Sequence, residues 1–116
     1  MPEIMPAHDR DVAVRRAVAV LGEGNLVVLP TDTLYAVVAD AFATAATRRL
    51  FSARGGGSAP LTVLIRNPRQ VIGLARDVPE TAERLMATYW PGPLTIVLAA
   101  QPDMPWDLGD TDDTVA

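Results

Sequence analysis

The sequence contains no cysteine, which excludes a disulfide framework, a thiolate metal site and a cysteine nucleophile. It contains no lysine either: all ten basic residues are arginine. Every amine able to serve as a phosphate-binding point charge or to form a Schiff base is thereby removed. One histidine, His8, excludes a multi-histidine metal site within one chain. No apolar run reaches the ~18–20 residues that a membrane-spanning helix needs. The opening Met-Pro-Glu-Ile-Met-Pro has no basic region and no long apolar core, so no secretory signal is expected and a cytoplasmic location is.

What is present is ordinary globular material. Apolar residues make up 49% of the 116 and charged residues 21%, which predicts a single domain over 1–116. The net charge of −4 is unevenly spread. Five of the fourteen acids (Asp103, Asp107, Asp110, Asp112, Asp113) fall within 103–116, leaving residues 1–102 near neutral. The acidic, Pro-containing stretch 103–116 reads as a loose tail.

Periodicity predicts an order of helices and strands. Asp9 to Leu21 carries an apolar stripe at helical spacing, with Asp9 or Asp11 as cap and Gly22 and Gly24 as terminators. Asn25 to Leu29 and Leu34 to Val38 are short branched runs that read as strands around a Thr31-Asp32-Thr33 turn. Phe42 to Ala53 reads as a helix anchored by Leu50 and Phe51. Gly55-Gly56-Gly57-Ser58 is a loop, and Leu61 to Ile65 reads as a strand. Asn67-Pro68 opens a short helix. Val78, Ala82, Leu85, Met86 and Tyr89 mark a further helix over Pro79 to Tyr89, and Leu94 to Ala99 reads as a strand. Alternating strands and helices point to an α/β layer fold with some parallel pairing. The apolar run of Leu94 to Ala99 predicts sheet surface that needs a cover, either a second copy of the chain or the tail folded back through Met104 and Trp106.

The richest segment for chemistry is Leu29-Pro30-Thr31-Asp32-Thr33-Leu34-Tyr35. Two hydroxyls flank a carboxylate where a buried strand ends, the sheet edge at which ligands bind in α/β folds. Hydroxyls can donate to a carboxylate or phosphate, and Asp32 can accept from an ammonium or a ribose. The alternative is a turn whose polar groups cap their own backbone. Arg54-Gly55-Gly56-Gly57-Ser58 follows a helix rather than a strand and lacks Gly-Lys-Ser/Thr, which disfavours a phosphate-cradling loop and leaves Arg54 as its one phosphate ligand. Tyr89-Trp90-Pro91-Gly92-Pro93 reads as a rigid turn. Asp110, Asp112 and Asp113 lack the spacing and glycine of a calcium loop, so no metal site is expected.

These segments together resemble the YrdC-like family of threonylcarbamoyl-adenylate synthases, which act in tRNA modification. The resemblance runs from about Asp11 to Ala116. It rests on Leu29 to Tyr35, on Pro60-Leu61, on Trp90-Pro91-Gly92-Pro93-Leu94-Thr95 and on Asp113-Thr114-Val115-Ala116, in that order. It implies a twisted mixed α/β sheet flanked by helices around a concave cavity, here without the C-terminal part of the family fold. It implies ATP, threonine and bicarbonate as substrates with Mg as helper, and binding of tRNA or double-stranded RNA. It places threonine on Thr31, Asp32, Thr33 and Tyr35, and the nucleotide near Arg54 and Thr114.

The departures bear on activity. The family pattern sets Lys-x-Arg-Pro seven residues ahead of Pro-Leu, which places Ala53, Gly55 and Gly56 where Lys, Arg and Pro are expected. The Gly that follows Tyr in the first motif is Ala36, and a polar ring position of some members is Leu64. Loss of one donor to a developing charge typically costs ~10²–10³ in rate. Three readings follow: a synthase domain with impaired catalysis, a non-catalytic binding or protein-interaction module on the same fold, or a structural remnant without a ligand.

Overall fold

The computed structural model describes residues 2–6 and 8–116. Helix α1 spans Arg10–Gly22 and ends as expected, with Gly24 at φ +79° turning the chain toward the first strand. Its N-terminus differs from expectation: Asp9 occupies the cap position but its side chain makes no capping bond. Strands β1 (Val27–Pro30) and β2 (Tyr35–Val38) form an antiparallel hairpin with Val28 opposite Val37 and Pro30 opposite Tyr35. Pro30 closes β1 rather than stopping it short, since its missing N–H lies at the hairpin end.

Helix α2 spans Thr44–Ala53 and buries Ala46 and Thr47, while Leu50 and Phe51 are half-buried. Thr47 keeps its hydroxyl satisfied on the Thr44 carbonyl at 3.1 Å. Arg49 reaches from α2 to the Gly24 carbonyl and the Asn25 side chain, tying α2 to the turn that leads into β1. A 3₁₀ turn over Pro68–Gln70 runs into the short helix α3 (Val71–Leu74). Asn67 caps it as anticipated, accepting from Arg69 N at 3.0 Å, and Gln70 completes a reciprocal box. Helix α4 (Glu80–Tyr89) turns Ala82 and Met86 inward; Leu85 and Tyr89, included in the apolar stripe read from the sequence, stay exposed.

Two expectations about the sheet are corrected. Among the described residues both ladders are antiparallel: the β1–β2 hairpin and a second pair, β3 (Leu98–Ala99) with β4 (Thr114–Val115). A four-residue connection joins β1 directly to β2, so no crossover exists there to bring them parallel. Leu61 to Ile65 is extended but forms no ladder, because its N–H groups go to separate segments: Leu61 to the Leu108 carbonyl and Val63 to the Ala116 carbonyl, both at 2.8 Å. The strand read over Leu94 to Ala99 shortens to its last two residues.

The stretch 103–116 is not loose. Leu108 and Val115 are only 4% and 7% exposed and join Val71, Ala75, Ala82 and Met86 in one apolar core. Trp106 stacks on Phe42 with ring centroids 5.7 Å apart. The acids of this stretch face solvent while its few apolar side chains face inward, a division that net composition hides. Gly109 anchors the return: at φ +89°, a Cβ there would lie 2.5 Å from the Ser58 carbonyl oxygen.

The core is small for the chain. Accessible surface is 8424 Å² for 12.4 kDa, whereas a folded monomer of that mass exposes roughly 6,100 Å². Large apolar side chains contribute to the exposed surface, Leu34, Leu64 and Ile72 among them. The outer face of the hairpin presents Val28, Pro30, Tyr35 and Val37, all exposed. No helix of the described residues is long and apolar enough to cross a membrane.

Candidate functional site

The hairpin turn, the extended segment after Pro60 and the turn after α4 converge on one concavity of about 410 Å³. That size falls within the ~300–1,000 Å³ usual for small-molecule sites. Its walls are mostly apolar: Val71, Leu74, Ala75, Leu98 and Val115 come from the core. Polar groups enter from three places, the Thr31-Asp32-Thr33 turn, Thr62 with Arg66-Asn67, and Thr95.

The turn is built by Thr31. Its backbone N–H donates to the Leu34 carbonyl at 3.0 Å, and its hydroxyl donates to the same oxygen at 2.6 Å. The hydroxyl oxygen also accepts from the N–H groups of Thr33 and Leu34, each at 3.3 Å. Thr31 thus serves the backbone, as the capped-turn alternative required, yet it still lines the concavity. Thr33 Oγ1 lies 3.4 Å from Thr31 Oγ1, and Asp32 makes no hydrogen bond or ion pair to the described residues. Asp32 and Thr33 therefore keep polar capacity for a ligand.

The other residues singled out from the sequence lie elsewhere. Tyr35 sits at the hairpin end, 78% exposed, outside the concavity. Arg54 folds onto its own loop, donating to the Ala59 carbonyl at 2.7 Å with its guanidinium 5.0 Å from the centre of the Phe51 ring. Thr114 gives its hydroxyl proton to the Thr111 carbonyl, while its neighbours Val115 and Ala116 reach the cavity wall. Ala53, Gly55 and Gly56 bring no charge to the wall. Asp110 accepts from Ser58, and no group of three or more His, Asp or Glu side chains gathers into a metal site among the described residues.

Three wall residues escaped sequence reasoning: Thr62, Arg66 and Asn67. The rule that drew attention to Thr31, polar residues where an apolar extended run ends, applies equally to Arg66-Asn67 after Leu61 to Ile65. Trp90 closes the third wall by donating from Nε1 to the Leu94 carbonyl at 2.7 Å, which holds the Pro91-Gly92-Pro93 turn against the cavity.

A family model described as "Telomere recombination", that of Sua5, YciO and YrdC, matches residues 19–116. The chain belongs to the Sua5/YciO/YrdC family. It is 42% identical to a Mycobacterium leprae protein provisionally named a threonylcarbamoyl-AMP synthase, over 99% of this chain and 54% of that one. It is 39% identical to the Pyrococcus abyssi threonylcarbamoyl-AMP synthase, over 89% of this chain and 31% of that one. The structure superposes with a TM-score of 0.85 and 36% identity on Pyrococcus abyssi Sua5 complexed with L-threonine, over 97% of this chain and 32% of that one. The chain thus spans about half the length of its mycobacterial relative and a third of the archaeal one. The YrdC-like α/β fold expected from the four motifs is the fold observed, and all four motifs contribute to or abut the concavity of this Sua5/YciO/YrdC domain.

Proposed function

We propose that this chain is an L-threonine-binding YrdC-like domain of threonylcarbamoyl-AMP synthesis, with ATP and bicarbonate as the other substrates and weak or absent turnover in the chain as it stands. The observation that carries this reading is the concavity itself, where an unengaged carboxylate, Asp32, and a neighbouring hydroxyl, Thr33, open onto apolar walls. Asp32 suits the threonine ammonium, Thr33 its polar groups, and the apolar wall its methyl. Similarity to a Sua5 that binds L-threonine supports the same assignment.

Impaired turnover follows from charge. Adenylate formation must stabilise a triphosphate, yet Arg66 is the one cationic side chain on the wall. Arg54, proposed for the nucleotide together with Thr114, reaches it only by leaving the Ala59 carbonyl and the Phe51 ring. Mg would arrive on the nucleotide's phosphates, which suits an ion that needs few protein ligands. Titration calorimetry with L-threonine and with ATP, paired with pyrophosphate release from ATP, threonine and bicarbonate, tests both halves. Threonine heat with release at least about 10²-fold below an intact relative is the expected result. Release at the relative's rate overturns impairment; no threonine heat overturns the binding reading.

A second reading, a protein-interaction module, is favoured by the surface surplus. The apolar hairpin face supports a homodimer: hiding the excess, roughly 2,300 Å² per chain over the expected monomer area, needs an interface of the obligate class. Sedimentation at micromolar concentration gives a dimer on this reading and a monomer against it. A tRNA or double-stranded RNA partner draws less support. Arg16 pairs with Glu3 at 3.0 Å, Arg49 donates to the Gly24 carbonyl and Arg54 to the Ala59 carbonyl, so three of the five arginines that a basic face would use (Arg15, Arg16, Arg48, Arg49, Arg54) are already engaged. A cytoplasmic setting accords with this chemistry.

A further inference from the structure

We infer that Arg66 is the carboxylate-binding residue of this cavity, making the site a receptor for a zwitterionic α-amino acid. The inference rests on the threonine reading above and assigns a residue that none of the motifs contains. Among the cavity-lining side chains there is one acid, Asp32, and one base, Arg66. Neither is paired: the ion pairs of the described residues are Arg16 with Glu3 and Arg76 with Asp77. The Arg66 guanidinium makes no hydrogen bond to the described residues. An arginine with five N–H donors in a planar fork and a residue with an unengaged carboxylate thus line the same cavity.

An α-amino acid carries an ammonium and a carboxylate on adjacent carbons, and one Asp with one Arg is the minimal set that neutralises both. A triphosphate with about four negative charges fits this wall poorly, since Asp32 opposes the single guanidinium. The backbone of Arg66 is also held in place. Gln70 Oε1 accepts from the N–H of Arg66 and, at 3.3 Å, from that of Asn67, while Asn67 caps the following turn. The arginine thus departs from a fixed base, so only its own rotamers are ordered on binding. Bidentate pairing to a carboxylate is the task for which guanidinium geometry is suited and a lysine amine is not.

The test is calorimetric, on the whole chain, with L-threonine and with L-threoninamide, which keeps the ammonium and the side chain but has no carboxylate. The parent should bind threonine roughly tenfold more tightly than the amide, the scale of one partly exposed charge-assisted hydrogen-bond pair. Arg66→Gln should erase that preference, weakening threonine roughly tenfold while leaving the amide unchanged, and Arg66→Lys should restore part of it. A general structural defect would weaken both ligands alike, and unchanged circular dichroism of both variants excludes misfolding. Threonine binding unaltered in Arg66→Gln, or a parallel loss for threonine and amide, overturns the assignment while the threonine reading stands. A parent chain that binds neither ligand removes the reading and the assignment together.

Discussion

Replacing Gly109 by alanine probes how the acidic stretch is fastened to the fold. The residue sits at φ +89°, and a Cβ there would lie 2.5 Å from the Ser58 carbonyl oxygen, 3.1 Å from that of Ala59 and 3.2 Å from Phe51 Cζ. Two of these neighbours are backbone and cannot swing aside. The Ser58 carbonyl also accepts from Asp110 N at 2.7 Å, and Leu61 N donates to Leu108 O at 2.8 Å, so a shift loosens both bonds. Placing an L-residue in left-handed backbone costs ~1–2 kcal/mol. Crowding adds ~1–3 kcal/mol, and each weakened bond adds ~0.5–1.5 kcal/mol. The sum is about 3–8 kcal/mol, a large share of the roughly 6–17 kcal/mol expected for a chain of this length. Gly57 is the internal control: it has φ +84° with nothing within 4 Å of its would-be Cβ. Gly57→Ala should cost only the backbone part, ~1–2 kcal/mol. Thermal melting followed by tryptophan fluorescence should show a fall of about 12–32 °C for Gly109→Ala against about 4–8 °C for Gly57→Ala. Equal falls would falsify the claim that residues 108–116 are locked by close approach to the Ser58 loop.

Thr31→Val should weaken threonine binding and lower thermal stability by ~1–2 kcal/mol, because its hydroxyl organises the hairpin turn; Thr33→Val should weaken binding with little change in melting. Titration and melting of the two variants side by side check the division. Asn67→Ala should cost ~1 kcal/mol in urea unfolding through the lost cap at Pro68–Gln70. Met86→Ala, in the small core, should cost ~2–5 kcal/mol by the same measurement. Trp106→Ala should lose its stack on Phe42 and destabilise by ~2–4 kcal/mol, and fluorescence of the parent should show an indole partly shielded from water.

Local chemistry made the elements legible. Gly22 and Gly24 end α1, Asn67-Pro68 opens the 3₁₀ turn, and the Thr31 to Leu34 connection bends β1 onto β2, each through a rule acting over a few residues. The motif order was enough for the family, and the Thr31-Asp32-Thr33 turn it singled out lies on the wall of the concavity. Tertiary packing decided what local pattern does not encode. Composition describes 103–116 as acidic, yet it packs, because Leu108, Val115 and Trp106, the close approach at Gly109 and the β3–β4 ladder hold it inward while the carboxylates need only remain wet. Arg54 and Arg66 look alike in sequence, and only packing tells them apart. One is drawn back to the Ala59 carbonyl and the Phe51 ring, while the other lines the cavity wall, its side chain without a partner among the described residues. A charge acquires its role from which neighbours the fold supplies to satisfy it, and those neighbours are distant in the chain.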